Sequence, residues 1–240
     1  MRRRFFVDQV RNGHAEISGE DARHLTRVLR VETGQRYELS DNRNVYLAEV
    51  ETARKEHVVF RTLETMPPEE PDVRITLCAS LIKFDHFEWM IEKATELGVA
   101  EIVPVECTRS ERGLERAASK RLERWRKIAV EASQQSRRAS LPKIYEPIEL
   151  TQVLARPADC RFVLDEERGG TPLSSALPSQ RASSDAVAVL VGPEGGWTET
   201  ERAGFDAAGW TRVTLGPLIL RAETAAIAAL AVVRNAWLVD

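Results

Sequence analysis

The stretch Leu190-Val191-Gly192-Pro193-Glu194-Gly195-Gly196-Trp197 joins the end of an apolar run to a turn rich in glycine and proline. Thr198 and Glu201 follow with the T-x-x-E spacing of a capping box, which predicts a helix that ends before Gly209. A buried strand that leads through such a turn into a helix is typical of α/β proteins, which bind ligands beyond the carboxyl ends of their strands. The stretch therefore predicts an α/β fold and a candidate ligand site together.

The turn at 192–196 has two other interpretations. It contains Glu194 but no lysine, and it matches neither G-x-G-x-x-G nor G-x-x-x-x-G-K-[ST], so a phosphate-binding loop is disfavoured. An acidic side chain repels a phosphate, whereas it tolerates a cationic ligand such as a sulfonium. A tight turn that binds nothing also accounts for this stretch when it is taken alone.

A second turn of the same kind lies at Leu215-Gly216-Pro217-Leu218-Ile219-Leu220-Arg221-Ala222-Glu223-Thr224-Ala225, again between a predicted strand and a predicted helix. Three large aliphatic residues, at 218–220, are unusual in a surface turn unless they line a pocket or an interface. Two Gly-Pro turns after successive strands could hold a flat apolar group such as adenine through their backbone N–H and C=O groups. The pair favours a ligand site over an empty turn.

The rest of the chain divides into two parts. Residues 1–66 carry short alternating runs of β-branched and aromatic residues around one predicted helix, which predicts a small, mostly β barrel or sandwich. The proline-rich stretch 67–72 cannot continue a helix or a central strand and is predicted to be a linker. From 73 to 240 strands alternate with helices, including a long helix at 118–136 and an apolar closing helix at 222–237. This alternation predicts a mostly parallel sheet that is covered on both faces.

Composition limits the kinds of partner. The formal net charge is −3, so any affinity for nucleic acid must come from local patches. The stretch 109–138 holds ten basic and four acidic residues and is one such patch, although a solvated helix face is the alternative. The three cysteines, Cys78, Cys107 and Cys160, lack CxxC spacing, and no apolar run is long enough to span a membrane. We therefore expect neither disulfides nor a metal site, no membrane segment, and a cytoplasmic location.

Together the two turns resemble a known signature. LVGPEGG at 190–196 followed by LGPLILRAETA at 215–225 is similar to the pattern of the SPOUT methyltransferases, specifically the RsmE type, which methylates nitrogen 3 of a uridine in small-subunit rRNA. The resemblance covers nearly the whole chain through four further stretches, which are RRRFFV at 2–7, HLTRVLRVETG at 24–34, EKATELGVAEIVPV at 92–105 and RWRKIAVEASQQSRR at 124–138.

The resemblance implies a fold and partners that the residues alone do not predict. It implies a PUA-like RNA-binding domain at 1–66 and a SPOUT methyltransferase domain at 73–240 that contains a trefoil knot and works as a homodimer. It implies S-adenosyl-L-methionine as the cofactor and 16S rRNA, within the small ribosomal subunit, as the partner, with no metal. Two alternatives remain, namely another SPOUT enzyme that acts on tRNA or on ribose, and a non-catalytic RNA-binding knot protein.

Three groups of site residues follow from the turns, the basic patches and the resemblance. The expected cofactor-binding residues are Leu190, Gly192, Pro193, Glu194, Gly195, Gly196, Leu215, Gly216, Leu218, Leu220, Thr224 and Ala225. The expected RNA-binding residues are Arg2, Arg3, Arg4, His24, Arg27, Arg30, Arg109, Arg112, Arg137 and Arg138. The catalytic candidates are Arg221, which would stabilise negative charge on the uracil, and Glu223. The structural alternative is that Glu223 only complements the dipole of the last helix and that Arg221 pairs with it or with solvent.

Overall fold

The computed structural model describes residues 3–67, 72–111, 113–167 and 170–238. The chain divides into two compact units, the N-terminal unit (1–70 with 133–141) and the C-terminal unit (71–132 with 142–240). Most of the predicted linker, together with Arg2 and Arg112, lies outside the described residues.

The N-terminal unit is one sheet packed on one helix. Its elements are β1 (Arg4–Phe6), β2 (His14–Ser18), α1 (Gly19–Arg27), β3 (Arg36–Ser40), β4 (Val45–Arg54) and β5 (His57–Thr65). The strand order is β1-β3-β4-β5-β2, with β1 parallel to β3 and the other pairs antiparallel. Phe5, Leu39 and Phe60 from the sheet share a buried core with Ala22 and Leu25 from α1. The predicted small, mostly β domain is confirmed.

Residues 133–141 belong to the N-terminal unit by their contacts, although they are far from it in the chain. Nη2 of Arg137 donates to Oε1 of Glu38 at 2.5 Å, and Nε of Arg4 donates to Oε2 of the same carboxylate at 3.1 Å. Glu38 is buried, so two guanidinium groups balance one carboxylate inside this unit. The predicted domains, 1–66 and 73–240, are each one continuous stretch. The prediction therefore places residues 133–141 in the second domain, whereas their contacts place them in the N-terminal unit.

The C-terminal unit alternates strands and helices along its length. Its strands are β6 (Arg74–Ser80), β7 (Glu101–Glu106), β8 (Lys143–Ile144), β9 (Ile148–Glu149), β10 (Cys160–Leu164), β11 (Thr171–Pro172), β12 (Ala186–Val191) and β13 (Thr211–Thr214). Its helices are α2 (Phe84–Glu96), α3 (Leu114–Ala118), α4 (Leu122–Ser136), α5 (Leu150–Leu154), α6 (Leu173–Ala176), α7 (Glu199–Ala207) and α8 (Ala222–Ala236). The last four residues of α4 group with the N-terminal unit.

The sheet of the C-terminal unit has the order β11-β13-β10-β12-β6-β7-β8, with β9 beside β7. Every strand pair described in it is parallel, which confirms the predicted α/β domain. The helix predicted at 118–136 is interrupted, because a 3-10 turn at Ser119–Arg121 separates α3 from α4. The shortest elements, β8, β9, β11, α5 and α6, are too short to show a hydrophobic period and were not predicted. The trefoil knot stays a prediction.

Alternation along the central strands divides the core between the two faces of this sheet. On β12, Val187 and Val189 lie in the cluster that also contains residues of α2 and α8, whereas Ala188 and Leu190 lie in the cluster that contains Phe205 of α7. Each fully buried large aliphatic side chain contributes roughly 1.5–3 kcal/mol to stability. Because both faces are covered, a ligand can reach this sheet at the strand ends, where β12, β10 and β13 lie side by side.

Candidate functional site

A cavity of about 380 Å³ lies at the carboxyl ends of β10, β12 and β13. Its walls are those strand ends, the two Gly-Pro turns that follow β12 and β13, and the start of α8. The lining residues are Leu164, Asp165, Glu166, Val191, Gly192, Pro193, Glu194, Gly195, Gly196, Trp197, Val213, Thr214, Leu215, Gly216, Pro217, Leu218, Ile219, Leu220, Arg221, Ala222 and Ala225. Small-molecule sites typically have volumes of about 300–1,000 Å³, so this cavity suits a ligand of that class.

The glycine-rich turn, residues 192–197, is shaped by close contacts within the protein. A Cβ on Gly192 would lie 2.8 Å from Cε2 of Trp197, whose ring is buried and whose Nε1 donates to a backbone carbonyl of β10 at 2.7 Å. Gly196 has a φ of +66°, and a Cβ there would collide with the carboxylate of Glu166. These glycines are therefore required by packing and by backbone conformation before any ligand is considered.

The capping box predicted after this turn is present. The Thr198 side chain accepts from the backbone N–H of Glu201, and the Glu201 carboxylate accepts from the backbone N–H of Thr198. Burial alone would raise the pKa of Glu201, but its hydrogen bonds from the N–H groups of Thr198 and Thr108 outweigh burial and lower the pKa. The buried carboxylate thereby fixes the start of α7 directly after the turn.

The aliphatic turn, residues 215–221, is more open. Gly216 has a φ of +128°, and nothing within 4 Å would meet a Cβ there. Oγ1 of Thr214 donates to the carbonyl of Gly216 at 3.0 Å and accepts from its N–H at 3.2 Å. Leu218 and Ile219 line the cavity, yet they are 78% and 86% exposed. Much of their apolar surface is therefore left uncovered within the chain.

Two carboxylates that were not predicted, Asp165 and Glu166, lie on the cavity wall directly after β10. Asp165 accepts hydrogen bonds from Nε and Nη2 of Arg202 on α7, both at 3.0 Å. Burial alone would raise the pKa of Asp165, but the hydrogen bonds and the charge of Arg202 outweigh burial and lower the pKa. Acidic residues immediately after a buried strand were the available signal, since ligands bind at the carboxyl ends of strands in this class of fold.

Most of the predicted cofactor-binding residues come together at the cavity. The ten that line it are Gly192, Pro193, Glu194, Gly195, Gly196, Leu215, Gly216, Leu218, Leu220 and Ala225. The other two lie elsewhere, because Leu190 is buried in the core cluster on the α7 side and Thr224 is an exposed residue of α8 outside the lining. Trp197 and Ile219 line the cavity but were not predicted as site residues.

The two catalytic candidates lie in different surroundings. Arg221 is the exposed residue immediately before α8, and it lines the cavity. Glu223 is 6% exposed and is not a lining residue. Its Oε1 lies 2.9 Å from Nδ1 of His86 on α2, at hydrogen-bond distance. This placement fits the structural alternative for Glu223 and leaves Arg221 as the candidate that can meet a substrate.

The predicted RNA-binding residues of the N-terminal unit are not equally accessible. Arg4 is 7% exposed, and its guanidinium is bound to Glu38, which also accepts from Arg137. These contacts favour a structural role for Arg4 and argue against phosphate binding by this residue. The members of the predicted set that are exposed on this unit are Arg3, His24, Arg27 and Arg30.

The remaining predicted RNA-binding residues make backbone contacts or are not described. Nη1 of Arg109 donates to the carbonyls of Gly195 and Trp197, at 2.9 and 3.2 Å. Nε of Arg138 donates to the carbonyl of Ser140 at 3.1 Å. Arg109 is therefore engaged with the glycine-rich turn, while Arg2 and Arg112 lie outside the described residues.

Within the described ranges, no three His, Cys, Asp or Glu side chains come together in a way that could hold a metal ion. None of the helices in those ranges combines the length and the apolar character needed to cross a bilayer. Burial raises the pKa of the Cys78 thiol and of the Cys107 thiol to about 12. Neither thiol is therefore ionised near neutral pH, and neither is suited to act as a nucleophile.

Comparison with known proteins identifies the class to which this fold and site belong. A model of the RNA methyltransferase domain matches residues 68–234, and a model of the RNA methyltransferase PUA domain matches residues 17–63. The parallel sheet with its cavity and the β-rich N-terminal unit are thus the two parts of an RNA methyltransferase. The chain belongs to the ribosomal RNA small subunit methyltransferase E family, as the sequence resemblance predicts.

Individual relatives cover almost the whole chain. The ribosomal RNA small subunit methyltransferase E of Bacillus subtilis is 31% identical over 244 residues, which cover 96% of this chain and 95% of that protein. The protein of the same name from Synechocystis is 32% identical over 228 residues, covering 93% of this chain and 74% of that protein.

Solved structures are similar over the same length. The ribosomal RNA small subunit methyltransferase E of Neisseria gonorrhoeae, bound to S-adenosyl methionine, has a TM-score of 0.87 at 31% identity and covers 99% of this chain and 98% of that one. A methyltransferase from Legionella pneumophila in complex with the bound cofactor SAM has a TM-score of 0.86 at 28% identity, with 98% of each chain covered.

Proposed function

We propose that this chain transfers the methyl group of S-adenosyl-L-methionine to nitrogen 3 of a uridine in 16S rRNA. The observation that carries this proposal is the cavity at the ends of β10, β12 and β13, whose two Gly-Pro turns are also the segments in which the sequence resembles the family signature. The Neisseria gonorrhoeae relative was solved with S-adenosyl methionine, and the relatives are named for small-subunit ribosomal RNA.

The residues that line the cavity suit this methyl donor. Leu164, Val191 and Leu218 give it apolar walls for an adenine ring, and the backbone N–H and C=O groups of both turns can recognise the edge of the ring. Glu166 and Glu194 place carboxylates on the lining, where they would favour a ligand that carries positive charge. When bound, the donor supplies an activated methyl group on a sulfonium.

Arg221 is the residue that we assign to the acceptor base. Nitrogen 3 of a uridine carries a proton that must pass to solvent water before the nitrogen can act as a nucleophile, since an arginine is already protonated, and a nearby cation stabilises the resulting negative charge on the ring. The bond from nitrogen 3 to the methyl group would form as the S–methyl bond of the sulfonium breaks, leaving a neutral thioether. Among the lining residues that the structure describes, Arg221 is the one that carries a guanidinium, and it is exposed at the cavity. We assign Glu223 to holding the first turn of α8 against His86, because its carboxylate is buried there.

We propose that RNA binding depends on the exposed basic residues of the N-terminal unit. We also propose that the 16S rRNA is bound as part of the small ribosomal subunit, in the cytoplasm. Those basic residues are Arg3, His24, Arg27 and Arg30, and Arg138 belongs to the same unit. With a net charge of −3, phosphate contacts depend on local basic patches of this kind. Each contact that is lost should flatten the salt dependence of RNA binding by a near-constant step.

We also propose that the active form is a homodimer. The exposed aliphatic side chains of Leu218 and Ile219 support this, because an uncovered apolar patch beside a ligand site is typical of an interface. The closing helix α8 has apolar residues on most of its circumference, and such helices are buried inside a domain or at an interface. Ala226, Leu230 and Val233 of α8 do face the core of the C-terminal unit, so this side of the helix is already covered within one chain.

Mass spectrometry of rRNA nucleosides from cells with and without this protein tests the proposed function. We expect 3-methyluridine to disappear from 16S rRNA in the absence of the protein and to return with the wild-type chain. Loss of a methylated ribose or of a tRNA modification instead would favour another SPOUT activity. Unchanged nucleosides, together with no binding of S-adenosylmethionine in calorimetry, would favour a non-catalytic RNA-binding protein.

A further inference from the structure

The segment that follows β7, residues 107–110, is bonded to elements that adjoin the glycine-rich turn. Sγ of Cys107 lies 3.0 Å from Oγ of Ser80, which donates to the carbonyl of Val191 at the end of β12, also at 3.0 Å. The backbone N–H of Thr108 donates to Oε1 of Glu201 at 2.9 Å. These bonds link the segment directly to α7, the helix after the glycine-rich turn, and through Ser80 of β6 to β12, the strand before it.

Arg109 contacts the glycine-rich turn itself. Its Nη1 carries two hydrogens and donates to the carbonyls of Gly195 and Trp197, at 2.9 and 3.2 Å. A guanidinium stays charged at any physiological pH, and hydrogen bonds from a charged donor are stronger than those between neutral groups. One cationic group thus holds the backbone of the turn at two places, on either side of Gly196.

The fit of Arg109 against this turn also explains why residue 195 is a glycine. Gly195 is absent from the glycines with positive φ, so its backbone conformation does not require glycine. A Cβ on Gly195 would lie 3.0 Å from Cβ of Arg109 and 3.3 Å from the Arg109 carbonyl oxygen. Glycine at this position permits the close approach of Arg109, which is a separate reason from those that apply to Gly192 and Gly196.

We propose that Arg109 is a positioning residue for the glycine-rich turn and does not belong to the RNA-binding surface. Gly195, Gly196 and Trp197 all line the cavity, whereas Arg109 is not among its lining residues. Any effect of Arg109 on a ligand in the cavity must therefore pass through the turn whose carbonyls it holds. This inference rests on the proposed function only in taking S-adenosylmethionine as the ligand of the cavity.

The test compares Arg109→Met with Arg109→Lys in the full-length protein by calorimetry with S-adenosylmethionine and by titration with a 16S rRNA fragment. Methionine keeps much of the side-chain length but removes both hydrogen bonds, so we expect donor affinity to fall about tenfold. Lysine can donate to the same carbonyls without the planar geometry of a guanidinium, and we expect it to restore part of the affinity. RNA affinity in the absence of donor, and its salt dependence, should stay at wild-type values.

Arg116→Met is the matched control, since it removes one positive charge from the same basic stretch. The Arg116 side chain is almost fully exposed, so donor affinity should not change. If Arg109→Met instead leaves donor affinity unchanged, the inference is wrong, and a weaker salt dependence of RNA binding in that variant would assign Arg109 to phosphate contact. Should Arg109→Met fail to fold, Arg109→Leu, which also removes both hydrogen bonds, takes its place, and unchanged donor affinity in that variant would equally contradict the inference. The proposed function fails separately, namely if the wild-type protein does not bind S-adenosylmethionine.

Discussion

The two turns that enclose the cavity are built in opposite ways. The glycine-rich turn at 192–197 is packed against the buried ring of Trp197 and against Arg109, and it leads into a helix fixed by a capping box. The aliphatic turn at 215–221 exposes most of Leu218, and a Cβ on its glycine would meet nothing within 4 Å. The glycine-rich turn is thus held in place by contacts within the chain, whereas the aliphatic turn leaves apolar surface exposed for a further contact.

This difference indicates that the two turns have different functions. A wall that is fixed before a ligand arrives lowers the entropic cost of binding, which suits the recognition of a donor. An open turn that ends in Arg221 suits the arrival of a large acceptor and contact with a second subunit. Substitutions in the glycine-rich turn should therefore change stability and donor binding, and those in the aliphatic turn should change catalysis or assembly.

The largest effect is expected from Asp165→Asn, which removes the ion pair between the end of β10 and α7. The Asp165 side chain is 4% exposed, and breaking a buried pair by changing one partner typically costs about 3–5 kcal/mol. Asparagine keeps one acceptor for Arg202, so we expect the free energy of unfolding to fall by about 3 kcal/mol at pH 7 in urea titrations. Glu199→Gln, which changes an exposed partner of the same arginine, should change it by less than about 0.5 kcal/mol.

The same pair predicts how stability depends on pH. The pKa of Asp165 is lowered in the folded state, so its contribution is fully present above the unfolded value of about 3.9 and is lost as the pH falls through the lower folded value. The difference in unfolding free energy between the wild type and Asp165→Asn should therefore be constant from pH 7 to about pH 5 and shrink below about pH 4. A difference that grew as the pH fell would contradict this assignment.

The next largest effect is expected from a substitution in the aliphatic turn, and it concerns the rate of catalysis rather than stability. Arg221→Ala should lower kcat for RNA methylation about a hundredfold, because a fixed cation that stabilises developing charge typically has an effect of that order. Donor affinity in calorimetry and the melting temperature should stay near the wild-type values, since the side chain is exposed. A loss of donor affinity with unchanged kcat would move Arg221 from the acceptor to the donor side of the site.

The features that could be predicted from the sequence are those whose signal is local. The capping box of Thr198 and Glu201 and the two Gly-Pro turns each occupy a few consecutive residues, and alternation of strands with helices predicts the parallel sheet. The contacts that revise the candidate site join residues far apart in the chain. Glu223 meets His86 across 137 positions, and no local pattern indicates such a pair.

Charge patterns are ambiguous for the same reason. Arg4 and Arg137 belong to arginine-rich stretches that predict RNA contact, yet both are bound to the buried Glu38. A phosphate and a buried carboxylate attract the same guanidinium, so composition cannot distinguish the two uses. Exposure and the position of an acidic partner decide between them, and both depend on the folded structure.

A smaller effect on stability than that of Asp165→Asn is expected from Gly192→Ala in the glycine-rich turn. The new Cβ would press on the Trp197 ring, which is buried and hydrogen-bonded, and overpacking of this kind typically costs about 1–3 kcal/mol. We expect a loss of about 2 kcal/mol in urea titrations together with weaker donor binding. Gly204→Ala in α7 is the matched control, because its Cβ would meet only Cδ1 of Leu154, at 3.4 Å, and alanine favours the helix. Equal stability of the two variants would contradict the view that the glycine-rich turn is closed by packing.

The smallest effect on stability is expected from Leu218→Asp in the aliphatic turn. This variant also tests directly whether a second copy of the chain covers that turn in a homodimer. Because the side chain is largely exposed, the free energy of unfolding of the single chain should change by less than about 0.5 kcal/mol. A carboxylate placed in an apolar contact between two copies would be buried without a partner, so the same change should dissociate a homodimer. Light scattering over a range of protein concentrations should show twice the monomer mass for the wild type and the monomer mass for the variant. Val28→Asp, at an exposed aliphatic residue of the N-terminal unit, controls for the added charge and should leave the mass unchanged. A wild-type chain that is monomeric throughout would remove the homodimer from the proposal and leave the exposed aliphatic residues to contact with RNA or with the ligand.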